Sequence, residues 1–169
     1  MAASSDTTGL TCGRSIALGL LLALAWLPMR AQTRISLAQL GFRRAPDYAS
    51  VHKGQKVIVR GVVSVPARHF AEYTTLSIQD SNNGGLLKVP LPDTWLDRYH
   101  PGEELEAEGT VIMQYGMTML VPDKITVLGR TAAPQPENLS VRELQNHLHL
   151  GEVVTTQGPV IEKIGRAHV

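Results

Sequence analysis

Hydrophobic and polar residues alternate along short stretches in the middle of the chain, and this alternation predicts β-strands. In the clearest stretch, Leu105 and Ala107 alternate with glutamates at 104, 106 and 108, which is typical of a strand with one face in water. Gly61 interrupts an earlier stretch and predicts a bend there. Strands are predicted at 56–65, 73–79, 86–89, 104–113 and 117–128.

The segments between these strands predict turns and one helix. Residues 80–85 (DSNNGG) predict a hairpin turn, because Asn and Gly tolerate positive φ. Asp93 as an N-cap and Pro101 as a stop predict a short helix over residues 93–100. The pair at 115–116 (YG) predicts the turn between the last two strands. The predicted order is three strands, a helix and two strands.

This order is that of the OB-fold, a five-stranded Greek-key barrel. The segments VIVRGVVS, LSIQD, GEELEAEGTV and GMTMLVPDKITVLG, read in that order, resemble the strands of bacterial OB domains. The predicted fold is therefore mainly β, with an OB-type barrel over residues 51–129 and the short helix between strands three and four. Another small antiparallel barrel or a sandwich is the alternative.

The first 31 residues have a different character. Fourteen uncharged, mostly apolar residues at 16–29 follow Arg14, which predicts an apolar N-terminal helix acting as a signal peptide. At about 1.5 Å per residue this run spans roughly 21 Å, less than the roughly 30 Å of a bilayer core. We expect cleavage after Ala31, with an uncleaved membrane anchor as the alternative. Residues 32–50 are then a helical or irregular lead-in, and the protein is predicted to be exported to a periplasmic or other extracytoplasmic location.

The beginning of the barrel recurs later in the chain. Glycines 54 and 61 frame the first strand, and glycines 151 and 158 repeat their spacing. Residues 140–143 (SVRE) fit a helix capping box ahead of the second pair. The recurrence predicts a tandem array of OB-like units.

The array divides the C-terminal part of the chain into three segments. Residues 130–138 are a Pro-rich linker, and residues 139–163 are predicted to begin a second OB-like repeat that is cut short. Residues 164–169 (IGRAHV) match a translation of the start of a common sequencing-library adapter, and we expect them to be an artefact. The chain is then an N-terminal fragment.

Charge and composition argue against several classes of protein and partner. Hydrophobic residues make up 43% of the chain, enough for a core, and the formal net charge is +1. Residues 45–130 hold eight Lys or Arg against ten Asp or Glu, a balance of −2 that argues against a nucleic-acid partner. The single cysteine, Cys12, excludes an internal disulfide framework.

The sequence contains no recognisable catalytic motif, so whether the full-length protein is an enzyme stays open. Histidines are scattered and are expected to lie on the surface, and neither a metal nor another cofactor is predicted. The usual OB binding surface offers candidate ligand-binding residues that could stack on a sugar, a base or a peptide. They are Arg68, His69, Phe70, Tyr73, Lys88 and Tyr115. The alternative is that they are ordinary residues of the barrel mouth.

The arrangement of leader, the segment LGFRRAPDYASVHKGQKVIVRGVVS, barrel, linker and second barrel resembles the extracytoplasmic part of certain bacterial membrane sensor proteins. In those proteins, tandem OB-like domains precede a membrane span and often a histidine kinase. The resemblance implies a sensory module for a small ligand, sugar or peptide. It also implies downstream domains in the same chain and membrane association through either end. The alternatives are a single-stranded nucleic-acid-binding OB protein and the N-terminal part of a secreted enzyme.

Overall fold

A computed structural model describes residues 32–91, 94–145 and 148–159 of the chain. The predicted leader, the adapter-like tail, Asp93 and His147 lie outside these residues. Within the described part, no helix has the length and apolarity that a bilayer crossing requires.

The described residues form strands, one short α-helix and two 3-10 helices. The strands are β1 Thr33–Arg34, β2 Arg43–Arg44, β3 Ala49–Ser50, β4 Lys56–Val63, β5 Arg68–His69, β6 Tyr73–Gln79, β7 Gly84–Pro90, β8 Glu103–Gln114, β9 Met117–Arg130, β10 Glu137–Asn138 and β11 Val154–Thr155. The α-helix, α1, is Leu37–Gly41, and the 3-10 helices are Trp95–Arg98 and Glu143–Gln145.

Five of these strands close into a barrel. Strands β4, β8, β9, β7 and β6 are hydrogen-bonded in that order, and β6 returns to β4. Strand β4 is antiparallel to β8, whereas β7 and β9 are parallel. This closed Greek-key pairing, with a helical turn between β7 and β8, confirms the predicted OB-type fold.

The core follows the alternation in the sequence. Leu105 and Ala107 of β8 are fully buried, as are Val57 and Val59 of β4. Each buried valine or leucine stabilises the fold by about 1.5–3 kcal/mol relative to exposure. Short-range alternation therefore decides which face of each strand lines the barrel.

The lead-in also packs on the barrel. Strand β1 pairs in parallel with β4, and Leu37 and Leu40 of α1 are buried in the same core cluster. Ser36 and Gln39 form a capping box, in which the Gln39 amide N–H donates to Ser36 Oγ at 3.2 Å. The capping box fixes where α1 begins, and α1 covers part of the core.

Two local details differ from the sequence predictions, and a third shows how the last strand accommodates a proline. No residue of the 80–85 turn has positive φ; instead the Asp80 carboxylate accepts from the backbone N–H groups of Asn82 and Asn83 at 2.9 and 2.8 Å. The described part of the predicted helix forms one 3-10 turn, Trp95–Arg98. Strand β9 runs unbroken past Pro122, because a register shift beside Gly109 accommodates the residue without a hydrogen-bond donor.

Candidate ligand-binding face

An aromatic pair lies at the start of β6. The Phe70 N–H donates to the Tyr73 carbonyl at 2.8 Å and closes a tight turn between β5 and β6. This turn brings the two rings into a stack with centroids 4.9 Å apart and an interplanar angle of 27°. Phe70 is 48% exposed, so it offers the more accessible aromatic surface of the two.

Lys88 adds a positive charge to this pair. Strand β7 lies beside β6, and the Lys88 Nζ sits 4.6 Å from the centroid of the Tyr73 ring, within the range of a cation–π interaction. The ammonium group also donates to the side-chain oxygen of Gln114 at the end of β8. We call Phe70, Tyr73 and Lys88 the aromatic–cation face.

Gln114 adjoins this face through Lys88, and sequence reasoning missed it. The only sequence signal was its position immediately before the predicted 115–116 turn, which does not indicate which strand the side chain approaches. Its contact with Lys88 joins residues 26 positions apart, and the barrel closure creates it.

The other three predicted site residues lie outside the aromatic–cation face, each in a different environment. His69 is held on both sides, because Nδ1 lies 2.9 Å from Thr74 Oγ1 and Nε2 lies 3.0 Å from Asp97 Oδ1. Arg68 is exposed on β5, beside Thr75 of β6. Tyr115 lies in the β8–β9 turn with φ 52° and is 69% exposed, one residue beyond Gln114. The structure therefore joins three predicted residues directly and leaves Tyr115 at the edge.

Two acidic residues of the barrel, Glu104 and Glu106, lie on another strand, whereas Glu72 is exposed in the turn between Phe70 and Tyr73. Glu106 pairs with Arg34 at 2.7 Å, and Glu104 pairs with Arg60 at 2.9 Å. The bond to Glu104 raises the pKa of the Arg60 guanidinium, because it favours the charged form. Both glutamates are on β8, which pairs with β4 and β9 and not with β6 or β7. The negative balance of the barrel is therefore not concentrated on the strands of the aromatic–cation face.

One group of side chains could hold a metal ion. Ligand atoms of Glu137, His149 and Glu152 all lie within 4.8 Å of one another. Carboxylate and imidazole groups are ligands that zinc accepts. His149 Nδ1 lies 2.7 Å from Glu152 Oε2, so two of the three possible metal ligands already contact each other without a metal. The prediction that the protein holds no metal stays a prediction.

Comparisons with known proteins find similarity in three-dimensional structure alone. No protein-family model and no curated protein sequence matches the chain. OBody AM1L10 bound to hen egg-white lysozyme is 14% identical with a TM-score of 0.41, over 47% of this chain and 84% of that one. Asparaginyl-tRNA synthetase from Pyrococcus horikoshii is 19% identical with a TM-score of 0.39, over 48% of this chain and 21% of that one. A replication protein A heterotrimer bound to ssDNA is 12% identical with a TM-score of 0.44, over 58% of this chain and 81% of that one.

These TM-scores carry no argument about function, and the fold assignment rests on the closed strand pairing. The resemblance to membrane sensor proteins stays a prediction.

Proposed function

We propose that the protein is an OB-fold binding module that takes single-stranded nucleic acid on its aromatic–cation face. The observation that carries the proposal is the stack of Phe70 on Tyr73 with the Lys88 ammonium 4.6 Å from the Tyr73 ring. Single-strand binders commonly combine exposed aromatic rings, on which bases stack, with cations that follow the phosphate backbone.

The position of each group supports this function. Tyr73 is already in contact with Phe70 and Lys88, so an incoming base stacks most readily on the exposed side of Phe70. Arg68 is exposed two residues before Phe70 and supplies a second cation for the phosphates. Strands β5, β6 and β7, which hold these groups, form the usual OB binding surface together with the adjoining loops.

Two of the acidic residues that make the barrel negative are paired with arginines away from the aromatic–cation face. Glu104 and Glu106 are neutralised locally by Arg60 and Arg34 on the β4–β8 side of the barrel. Asp97, close to the face, pairs with His69 at 3.0 Å. The phosphate backbone is attracted by local positive charge, so the net charge of the whole barrel is the less relevant quantity.

Phe70→Ala tests the proposal. We expect it to weaken binding of a fluorescein-labelled oligo-dT of about twelve nucleotides by about 1–3 kcal/mol, measured by fluorescence anisotropy on the full chain. Phe42→Ala is the matched control, because Phe42 is also an exposed phenylalanine but lies outside the face. Affinity should fall steeply between about 50 and about 200 mM salt, since bound phosphates release counterions. Absence of binding, or binding that salt does not change, contradicts the proposal.

An exported sensory module for a sugar or a peptide is the second candidate. The apolar run at 16–29 after Arg14 favours it, because this pattern is typical of export signals. A reporter enzyme that is active only outside the cytoplasm, fused after Gln32, should then be active. Ligand binding on the same face would depend little on salt, and Phe70→Ala would weaken it while Lys88→Ala would matter less. A reporter that stays inactive counts against this candidate.

A further inference from the structure

A second site is formed by a cavity apart from the aromatic–cation face. It has a volume of about 480 Å³, which lies in the range of pockets for small molecules. Its walls come from α1, from the start of β7 at Gly84 and Gly85, and from residues 148–150 and 152. Leu37, Leu40 and Leu150 make much of this lining apolar.

Two buried polar atoms of the cavity lining have no hydrogen-bond partner among the described residues: Arg43 Nε and Thr118 Oγ1. Thr118 is 3% exposed, so water does not satisfy its hydroxyl readily. A buried polar atom without a partner costs about 1–3 kcal/mol, and a bound ligand is one explanation for retaining such atoms.

Arg43 also carries a charge that nothing in the described residues neutralises. Its Nη2 donates to the Gly116 carbonyl at 2.6 Å, and no ion pair involves it within residues 32–91, 94–145 and 148–159. The carboxylate that also lines the cavity, Glu152, is paired with His149 at 2.7 Å. The positive charge of Arg43 is therefore available to an anion.

The remaining lining includes two exposed aromatic side chains. Phe42 is 64% exposed and Tyr48 is 61% exposed, and both belong to the lead-in segment. Tyr48, His149 and Glu152 are the titratable groups that line the cavity beside Arg43. Aromatic and aliphatic walls favour a ligand with an apolar body.

We propose that this cavity binds a small monocarboxylate with an apolar or aromatic body. The carboxylate accepts hydrogen bonds from Arg43 Nε and from the Thr118 hydroxyl, and the body lies against the leucines. Such charge-assisted bonds to guanidinium are stronger than bonds between neutral groups. The site is independent of the nucleic-acid function proposed above.

The test uses 3-phenylpropionate as the probe and 3-phenylpropanol as its neutral analogue, with the full ¹⁵N-labelled chain followed by NMR. We expect saturable shifts of the Gly84 and Gly85 amides with the acid, and about tenfold weaker binding of the alcohol. Equal affinities show a merely apolar cavity and overturn the proposal. Absence of saturation at about 10 mM acid, or shifts centred on Tyr73 and Lys88, also overturns it.

Variants assign the binding to the two polar groups. Thr118→Val keeps the side-chain shape and should weaken acid binding about fivefold, and Arg43→Gln should weaken it about tenfold. Arg44→Gln is the matched control, because Arg44 is adjacent, exposed and absent from the cavity lining. Thr118→Val retains the fold if its thermal unfolding matches that of the unaltered chain. Unchanged acid binding in a folded Thr118→Val protein contradicts the proposed role of the hydroxyl.

Discussion

Gly61 shows how one residue limits the packing at a strand crossing. Strand β4 is paired with β8 through Val62 and begins to pair with β6 at the same residue. A Cβ at Gly61 would lie 3.2 Å from both Ile78 Cβ and Leu37 Cδ1. Gly61 does not have positive φ, so space rather than backbone freedom explains the glycine. The close approach of α1 and β6 therefore explains the glycine, and the register of β4 with β8 runs through it without a shift.

We expect Gly61→Ala to lower the free energy of unfolding by about 1–3 kcal/mol, and Gly61→Val to lower it further, because both overpack a tight contact. Gly129→Ala is the matched control, since Gly129 is also a strand glycine but has no atom within 4 Å of an added Cβ. Urea unfolding followed by circular dichroism measures both variants. Equal stability of the two alanine variants would show that α1 and β6 move aside at no cost.

At the scale of elements, the same small arrangement occurs twice in the described chain. Strand β1 is parallel to β4 with Thr33 opposite Val57, and β10 is parallel to β11 with Glu137 opposite Val154. Thr33 and Glu137 each lie three residues before a serine that caps a helical turn, at positions 36 and 140. Val57 and Val154 each lie three residues after a glycine with positive φ, at positions 54 and 151. The pairing of β10 with β11 therefore repeats the spacing of the pairing of β1 with β4. That residues 139–163 begin a second OB-like repeat that is cut short stays a prediction.

The second capping box predicts a local pH dependence. Both the N–H and the hydroxyl of Ser140 donate to the Glu143 carboxylate, at 2.8 and 2.7 Å, and these bonds lower the pKa of Glu143 below its ordinary value of 4.5. A lowered pKa in the folded state means that the bonds stabilise the turn above pH 4.5 and are lost as the pH falls through the lower, folded value.

The Ser140 amide signal measures this dependence. We expect its NMR titration midpoint to lie below 4.5, because the folded state favours the ionised carboxylate. Glu143→Gln retains an acceptor oxygen but does not titrate, so it should remove the transition. A midpoint at or above 4.5 contradicts the assignment.

At the scale of the whole molecule, residues 148–155 pack on the barrel through glycines. A Cβ at Gly151 would lie 2.7 Å from the backbone N and O of Gly85. The Val153 N–H donates to the Gln79 side-chain oxygen at 3.2 Å. Backbone approaches this close require the absence of side chains on both segments. This docking also builds one wall of the cavity that Arg43 and Thr118 line.

We expect Gly84→Ala to displace residues 148–155 from the barrel, because an added Cβ would overlap the backbone of Gly151 and Glu152. The barrel itself should stay folded. Hydrogen exchange at the Val153 amide should accelerate, since its bond to Gln79 is lost. Gly158→Ala is the control, because no atom of the described residues lies within 4 Å of its added Cβ. An unchanged exchange rate in Gly84→Ala would show that residues 148–155 stay docked on the barrel and would contradict the prediction.

The sequence by itself determined the strand order, the approximate strand bounds and the buried face of β8. Alternation and turn composition are local properties, and they act within a few residues. It also identified Phe70, Tyr73 and Lys88 as candidate ligand residues, because their chain positions correspond to the binding surface of the predicted fold.

Only the tertiary structure decided which side chains meet. Lys88 and Gln114 come together because β7 and β8 both adjoin β9 in the barrel, and no local pattern contains that information. The cavity joins residues 37–38, 40–43 and 48 with 82–85, 118, 148–150 and 152. The unpartnered atoms of Arg43 and Thr118 become significant only because the fold buries them. Contacts between distant segments depend on how the strands close into a barrel and on the space that glycines leave between segments. The alternation of hydrophobic and polar residues indicates only which face of a strand is buried.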